Sequence, residues 1–142
     1  MESKIGNRWD AFFGVIIGLF LILITPRIWK WSFTGDSGWT FTDEAGNPMA
    51  YTKSLAFWGD LAFALFDVAL IAEGLVLAFR RTRPFLACCF VITVLATLSN
   101  LAYVIYMINR GMGFQIFSGL ATAFGLYIAG YQWSLLGSRS LE

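Results

Sequence analysis

Three acidic residues lie within a stretch that otherwise has the composition of a membrane span, LAFWGDLAFALFDVALIAEGLVLAF, from Leu55 to Phe79. They are Asp60, Asp67 and Glu73, and Asp67 stands near the middle. A carboxylate near the bilayer midplane costs about 2.5–3.5 kcal/mol on insertion, so it usually faces a partner, a cavity or a pathway. Such groups can bind a proton or a small cation and pass it on.

The helical repeat sets the directions of these acids. Successive residues turn by about 100°, so Asp60 and Asp67 share one face and lie about 10 Å apart along the axis. Glu73 points about 120° away from Asp67 and lies about 9 Å further along. We therefore expect Asp67 to be the central binding group, with Asp60 and Glu73 as access or relay positions.

The third apolar segment carries a stripe of polar residues at the depth of Asp67. Thr93, Thr97 and Asn100 fall on one side of a helix by i, i+4, i+7 spacing. In an antiparallel neighbour, Thr97 and Asn100 come level with Asp67 and could donate hydrogen bonds to it or share a cation. The sequence predicts proximity of Asp67 and Asn100, with the three residues of the stripe as neutral ligands.

Arg27 has a plausible partner at the end of the first segment. It lies about one turn inside that end, and Asp60 lies at a similar depth in the second segment. An ion pair would remove most of the penalty on both charges. The alternative is an Arg27 side chain that extends to the headgroups, helped by a helix break at Pro26.

Composition excludes several classes of protein. The chain has 142 residues, 58% hydrophobic and 13% charged, against about 25% charged residues in soluble domains. A net charge of +1 argues against nucleic acid as a partner. The absence of histidine excludes imidazole-ligated haem and His-based zinc sites or catalysis. We predict no cofactor, no metal site and no catalytic residues, and Cys88 and Cys89 are expected to be small buried side chains.

Four segments are long enough to cross a hydrocarbon core of about 30 Å, which needs about 20 helical residues. They cover residues 11–31, 55–79, 85–108 and 112–136. Short connections make neighbours antiparallel, so we predict an all-α membrane protein: one integral domain over residues 1–142, a four-helix antiparallel bundle. The first segment has no small-residue cleavage site, which favours a retained helix over a signal peptide. The last residues, Leu141 and Glu142, resemble a cloning remnant.

The distribution of Lys and Arg predicts the orientation. With both termini in the cytoplasm, six basic residues lie inside and four outside, and the short basic turn at 80–84 belongs inside. The expected location is therefore the cell (inner) membrane, crossed several times, with lipid as the immediate partner.

The connection at 32–54 is the sizeable polar region, and it is placed outside. Trp39 and Phe41 alternate with small polar residues, a turn-forming run DEAGNP follows, and Met49 and Tyr51 alternate again. This pattern predicts a short β-hairpin that packs on the outer end of the bundle or on a second subunit. An irregular surface loop is the alternative.

The fourth segment carries a groove of small residues. Ala121, Gly125 and Ala129 repeat at four-residue intervals, which lets two helix backbones approach closely. The groove could take another helix of the same chain or a second copy, so we expect a homo-oligomer or association with other membrane subunits. Gln115 and Gln132 are expected at the two ends of this segment, in contact with water.

Three interpretations of the intramembrane polar residues remain. They could bind or move a proton, small cation or solute. They could instead hold helices together in a non-catalytic subunit or assembly factor, with the hairpin as docking surface. Least favoured is a membrane enzyme that uses Asp60 and Asp67 on a lipid-like substrate, because a nucleophile and a third ligand are hard to find.

Overall fold

The computed structural model describes residues 3–24, 26–79, 82–111 and 116–137; the side chains of residues 3–11, 13, 24, 76–79 and 117 lie outside this description. The described chain is mostly helical. In order, its helices and strands are α1 (Ser3–Ile24), α2 (Pro26–Thr34), β1 (Phe41–Thr42), β2 (Pro48–Met49), α3 (Leu55–Phe79), α4 (Arg83–Asn109) and α5 (Ile116–Gly137).

Within the described ranges, two helices are long and apolar enough to cross a membrane, α3 over Leu55–Leu75 and the whole of α4. The pair α1 and α2 passes the same test as a bent unit, which gives a third possible span. Helices α3 and α4 also turn large apolar side chains outward, where lipid would solvate them: Leu65, Val68, Leu75, Val91, Leu95 and Leu98. These features are consistent with a membrane protein.

The first predicted segment, 11–31, differs from the structure because it is not one straight helix. Helix α1 begins at Ser3, and α2 begins at Pro26 and runs at 64° to it. Pro26 explains the bend, since proline has no N–H to donate and its ring clashes with the preceding turn. Gly35 ends α2 in a left-handed conformation, with its N–H bonded to the carbonyl of Trp31 at 2.7 Å.

The other helix bounds lie close to the predicted ones. Helix α3 has the predicted bounds, and Ser54 caps it by accepting the Phe57 N–H at 3.1 Å. Helix α4 begins two residues earlier than predicted, with Pro84 in its first turn. The predicted start of the fourth segment at 112–115, including Gln115, lies outside the described residues, as do Arg80, Arg81 and residues 138–142.

The predicted hairpin is present, with strands of two residues each. Phe41 pairs with Met49 and Thr42 with Pro48 in antiparallel register. Asp43 closes the turn, because its carboxylate accepts the N–H groups of Ala45 at 3.0 Å and Asn47 at 2.8 Å. These bonds from Asn47 and its neighbours hold the pKa of Asp43 below its usual range. Tyr51 was expected to continue the second strand but lies in a 3₁₀ turn, Tyr51–Lys53.

Helix α3 occupies the centre of the bundle. It packs against α1 on one side and α4 on the other, and α5 packs against α4. The hydrophobic core joins these helices through Leu21 of α1, Phe63, Phe66 and Leu70 of α3, and Ala96 of α4, with Ala121, Phe124 and Ile128 of α5 packed against them. Because α3 has protein on more than one side, its polar residues can avoid lipid in more than one direction.

Helices α4 and α5 approach closely where Gly125 faces Thr97. A Cβ at Gly125 would overlap the Thr97 side chain, including its hydroxyl oxygen. Ala121, from the same predicted groove, packs against the core. Gly125 is therefore a contact within one chain rather than between two copies.

We expect Gly125→Ala to lower the free energy of unfolding by about 1–3 kcal/mol, because the added methyl group must displace a stiff β-branched side chain. Gly130→Ala is the matched control on the same helix, since nothing lies within 4 Å of its Cβ position. The control should be neutral or stabilising by up to about 1 kcal/mol, since alanine favours helix more than glycine does. Thermal unfolding in detergent measures both, and equal shifts would contradict the close α4–α5 contact.

Candidate functional site

The predicted ion pair is present at the end of the bundle that carries the hairpin, called here the hairpin end. Arg27 on α2 places Nε 3.5 Å from Oδ2 of Asp60 on α3. The Tyr51 hydroxyl donates to the same carboxylate oxygen at 2.5 Å. Asp60 thus has a positive charge and a strong donor beside it, which offsets much of the cost of its burial.

Aromatic rings enclose this pair. The Arg27 guanidinium lies 4.9 Å from the ring centroid of Trp39. The ring centroid of Tyr51 lies 5.0 Å from that of Phe41 and 5.6 Å from that of Phe57. Burial raises the pKa of Tyr51 above its usual range, and its hydrogen bond to Asp60 acts in the same direction. Tyr51 therefore stays a neutral donor across the physiological range, and the hairpin is held against the bundle as predicted for Phe41 and Tyr51.

A cavity of about 140 Å³ opens beside the ion pair. Its polar wall comes from different helices: Arg27, Asp60, Asn100, Tyr103 and Ser118. The rest of the lining is apolar and includes Leu21 and Phe63. An engineered apolar cavity of about 150 Å³ holds a benzene-sized molecule, so this space could admit a few waters, a hydrated ion or a small solute.

Asp67 lies in the middle of α3 and its side chain is fully buried, with 0% of the residue exposed. Helix α1 comes very close at this level, because a Cβ at Gly18 would lie 3.1 Å from the Asp67 carbonyl oxygen and 2.6 Å from Ile71 Cγ1. Gly18 is the residue that allows this approach, and the sequence analysis did not single it out. Asp67 faces protein rather than lipid, as the cost of its charge requires.

Asn100 directs its amide group at α5. Its Nδ2 donates to the carbonyl oxygen of Ser118 at 2.5 Å and to the hydroxyl of Thr122 at 2.7 Å. The sequence analysis matched Asn100 with Asp67 and did not predict these acceptors. Asn100 therefore joins α4 to α5 at the cavity wall, and its proximity to Asp67 stays a prediction.

The two threonines of the predicted stripe bond to their own helix. Thr93 donates to the carbonyl of Cys89 at 2.9 Å, and Thr97 donates to the carbonyl of Thr93 at 2.7 Å. Both are buried, and their hydroxyl protons are already used. These hydroxyls therefore offer a ligand only their oxygen lone pairs, which can accept a hydrogen bond or coordinate a cation weakly.

Glu73 has a partner that the sequence analysis missed. Gln132 on α5 donates from Nε2 to Glu73 Oε2 at 2.6 Å, and the two residues are 0% and 5% exposed. The expectation that water solvates Gln132 at a helix end was wrong, because this side chain is turned inward and fully buried against Glu73. The sequence does contain a pattern that indicates this burial. Gln132 lies seven residues after Gly125, so both share the face of α5 that packs on the bundle.

The three acids of α3 thus all face the protein interior, at three depths. The Asp60 side chain is 16% exposed at the cavity, Asp67 is enclosed in the middle, and Glu73 is bonded to α5 further along. Among the described residues, no group of three or more His, Cys, Asp or Glu side chains could hold a metal ion. In this arrangement Asp60 lies beside a cation, and Glu73 accepts a hydrogen bond from a neutral amide.

Comparison with known proteins adds no family to this geometry. No protein family model matches the chain. No curated protein and no solved structure matches it either.

Proposed function

We propose that the chain crosses the membrane four times, with α1 and α2 forming one broken span and α3, α4 and α5 the others. Shared packing of α1, α3, α4 and α5 around one core supports a bundle. The bias of Lys and Arg supports N- and C-termini in the cytoplasm, the inner membrane as location, and the hairpin on the outer side.

The proposed function is the binding and movement of a proton or small cation along α3. The observation that carries it is the inward direction of all three acids, at intervals of about 10 and 9 Å along the helix axis. Hydrocarbon disfavours ionisable groups strongly enough that three on one span point to a pathway more than to packing. Asp67 is the central group, and Asp60 and Glu73 are the access and relay positions.

The cavity gives this pathway an entrance from the hairpin side. Asp60 and Asn100 line it, and Asp67 lies about two helical turns further along α3. Thr97 and Thr93 supply buried oxygen atoms along α4. Because four helices enclose little lumen, conduction would favour association of two or more copies. The copies would contact each other through the outward faces of α3 and α4.

A second candidate function is a non-catalytic subunit of a larger membrane complex. Two large apolar side chains at the hairpin end favour it, because Phe33 and Trp39 are 86% and 62% exposed. Exposed apolar patches mark docking surfaces, and these two side chains would contribute to one. In this case the acids of α3 would hold helices together and the hairpin end would bind the partner.

Reconstitution into lipid vesicles tests the first function against the second. Vesicles holding the intact chain should dissipate an imposed pH or Na⁺ gradient faster than protein-free vesicles do. Vesicles that retain both gradients as long as protein-free ones, together with purification of the chain in a stoichiometric complex, would overturn transport in favour of the subunit.

A further inference from the structure

The Glu73–Gln132 pair has one polar atom left over. Gln132 Nε2 donates to Glu73 Oε2, but among the described residues Gln132 Oε1 has no hydrogen-bond partner although it is fully buried. An unsatisfied buried acceptor costs about 1–3 kcal/mol, so a native structure usually supplies a donor for it. The Oε1 atom of Gln132 therefore requires one more hydrogen-bond donor, located beside Glu73.

The surroundings of Glu73 contain no compensating positive charge among the described residues. The two ion pairs of the described chain use Asp60 and Glu44. From α4 the titratable neighbour is the Cys89 thiol, which lies near enough to feel the charge of Glu73 and donates to the carbonyl of Ala69. On α3 itself Asp67 lies about 9 Å away, and at this level Gly14 of α1 lies beside Gly74. With respect to the described side chains, an ionised Glu73 would be a buried charge without a counter-charge, which is strongly unfavourable.

A primary amide and a neutral carboxylic acid are complementary hydrogen-bonding groups. The amide offers a donor and an acceptor side by side, and the acid offers an acceptor and a donor. We propose that Glu73 carries a bound proton and forms a two-bond pair with Gln132, in which Nε2 donates to one Glu73 oxygen and the Glu73 hydroxyl donates to Gln132 Oε1. This inference rests on the proposed function and names its substrate: the site on α3 takes a proton rather than a metal cation.

The ligand set argues against a metal cation at this position. Gln132 directs an N–H group at Glu73, which opposes a positive ion at the same oxygen. Divalent hard cations need several oxygen ligands, and among the described residues no group of three or more His, Cys, Asp or Glu side chains could hold a metal ion. A proton needs one basic oxygen to hold it and one acceptor for its hydrogen bond, and Glu73 and Gln132 Oε1 supply them.

Infrared spectroscopy of the intact chain in lipid vesicles at neutral pH tests the proposal. A protonated carboxylic acid has a carbonyl band, separate from the carboxylate bands, that shifts to lower frequency in D₂O. We expect such a band, and we expect it to shift when glutamate is labelled with ¹³C at the side-chain carboxyl. The label separates glutamates from aspartates, and the sequence contains four glutamates, Glu2, Glu44, Glu73 and Glu142. Glu73→Gln should remove the band, and Glu44→Gln, at an exposed position, should keep it.

Gln132→Leu supplies a readout of the pair itself. Loss of the amide should move the Glu73 acid band to higher frequency, because the acid carbonyl loses its hydrogen bond. Carboxylate bands alone from labelled Glu73 would overturn the proposal, as would conversion of the acid band to a carboxylate band on addition of Na⁺. An acid band in vesicles that hold their pH gradient supports the proton site and rejects transport. Flux that requires Na⁺ without an acid band supports transport and rejects the proton site.

Discussion

Vesicles that contain the Asp67→Asn variant are expected to retain an imposed gradient as long as protein-free vesicles do. Asparagine has nearly the same shape as aspartate and can accept and donate hydrogen bonds, but it cannot release a proton or carry a negative charge. Asp67 is fully enclosed midway between Asp60 and Glu73. If ions move along α3, removal of the ionisable group at this point interrupts the path midway between sites about 20 Å apart.

Three comparisons make this test of Asp67 specific. Glu44→Gln also removes a carboxylate, but Glu44 lies in the hairpin turn and is 83% exposed, so flux should be unchanged. Asp67→Glu keeps the ionisable group and should restore part of the flux. Equal thermal unfolding of the variant and the native chain shows that Asp67→Asn has not simply unfolded the bundle. Undiminished flux in a folded Asp67→Asn variant would remove Asp67 from the pathway.

Arg27→Met is expected to lower the free energy of unfolding by about 2–4 kcal/mol, because it leaves Asp60 partly buried without its counter-charge. The Tyr51 hydroxyl still donates to Asp60 in this variant. The loss of stability is therefore smaller than for a buried carboxylate with no hydrogen-bond donor. The variant also loses the contact of the guanidinium with Trp39, worth about 0.5–1 kcal/mol at an exposed site. Denaturation in mixed micelles measures the change.

A double-mutant cycle separates the ion pair from other effects of the Arg27 substitution. Adding Asp60→Asn to Arg27→Met should recover part of the lost stability, since the neutral amide no longer needs a cation, and the coupling should be about 0.5–3 kcal/mol. Arg110→Met is the matched control: its pair with Glu44 spans 3.1 Å but is exposed, so we expect a loss below about 1 kcal/mol. Additive effects of Arg27 and Asp60 would show that their contact contributes nothing.

Much of the helical framework follows from the sequence because one cause dominates it. The cost of polar groups in hydrocarbon predicts the bounds of α3 and the inward direction of its acids, and it also predicts the pairing of Arg27 with Asp60. The turn residues Asp43 to Asn47 predict the hairpin, because their side chains can satisfy the backbone locally.

The partners of the polar groups are harder to predict, because they depend on how the helices rotate and slide against each other. Asn100 could reach α3 or α5 by its position along α4, and contact with Ser118 and Thr122 depends on the α4–α5 interface that Gly125 allows. Gln132 was assigned to water because its depth was judged from the sequence ends of a segment. The rotation of α5 about its axis turns it inward, where it is buried against Glu73.

The bend between α1 and α2 is also only partly predictable from the sequence. Pro26 predicts that a break can occur, and in the structure, where the angle is 64°, Arg27–Asp60 and Trp31–Phe57 contacts join α2 to α3. Local sequence therefore marks the position of the hinge, and tertiary packing sets its direction.

Photolabelling of the native chain by lipids that carry an alkyl diazirine tests the central claim most directly. The reactive intermediates of these lipids are trapped readily by carboxylates, so an acid in contact with acyl chains would be labelled first. The structure predicts adducts on the outward residues of α3, such as Leu65, Val68 and Leu75, and none on Asp67 or Glu73. Peptide mapping that finds lipid attached mainly to Asp67 or Glu73 would show that these carboxylates face acyl chains, and would contradict the account.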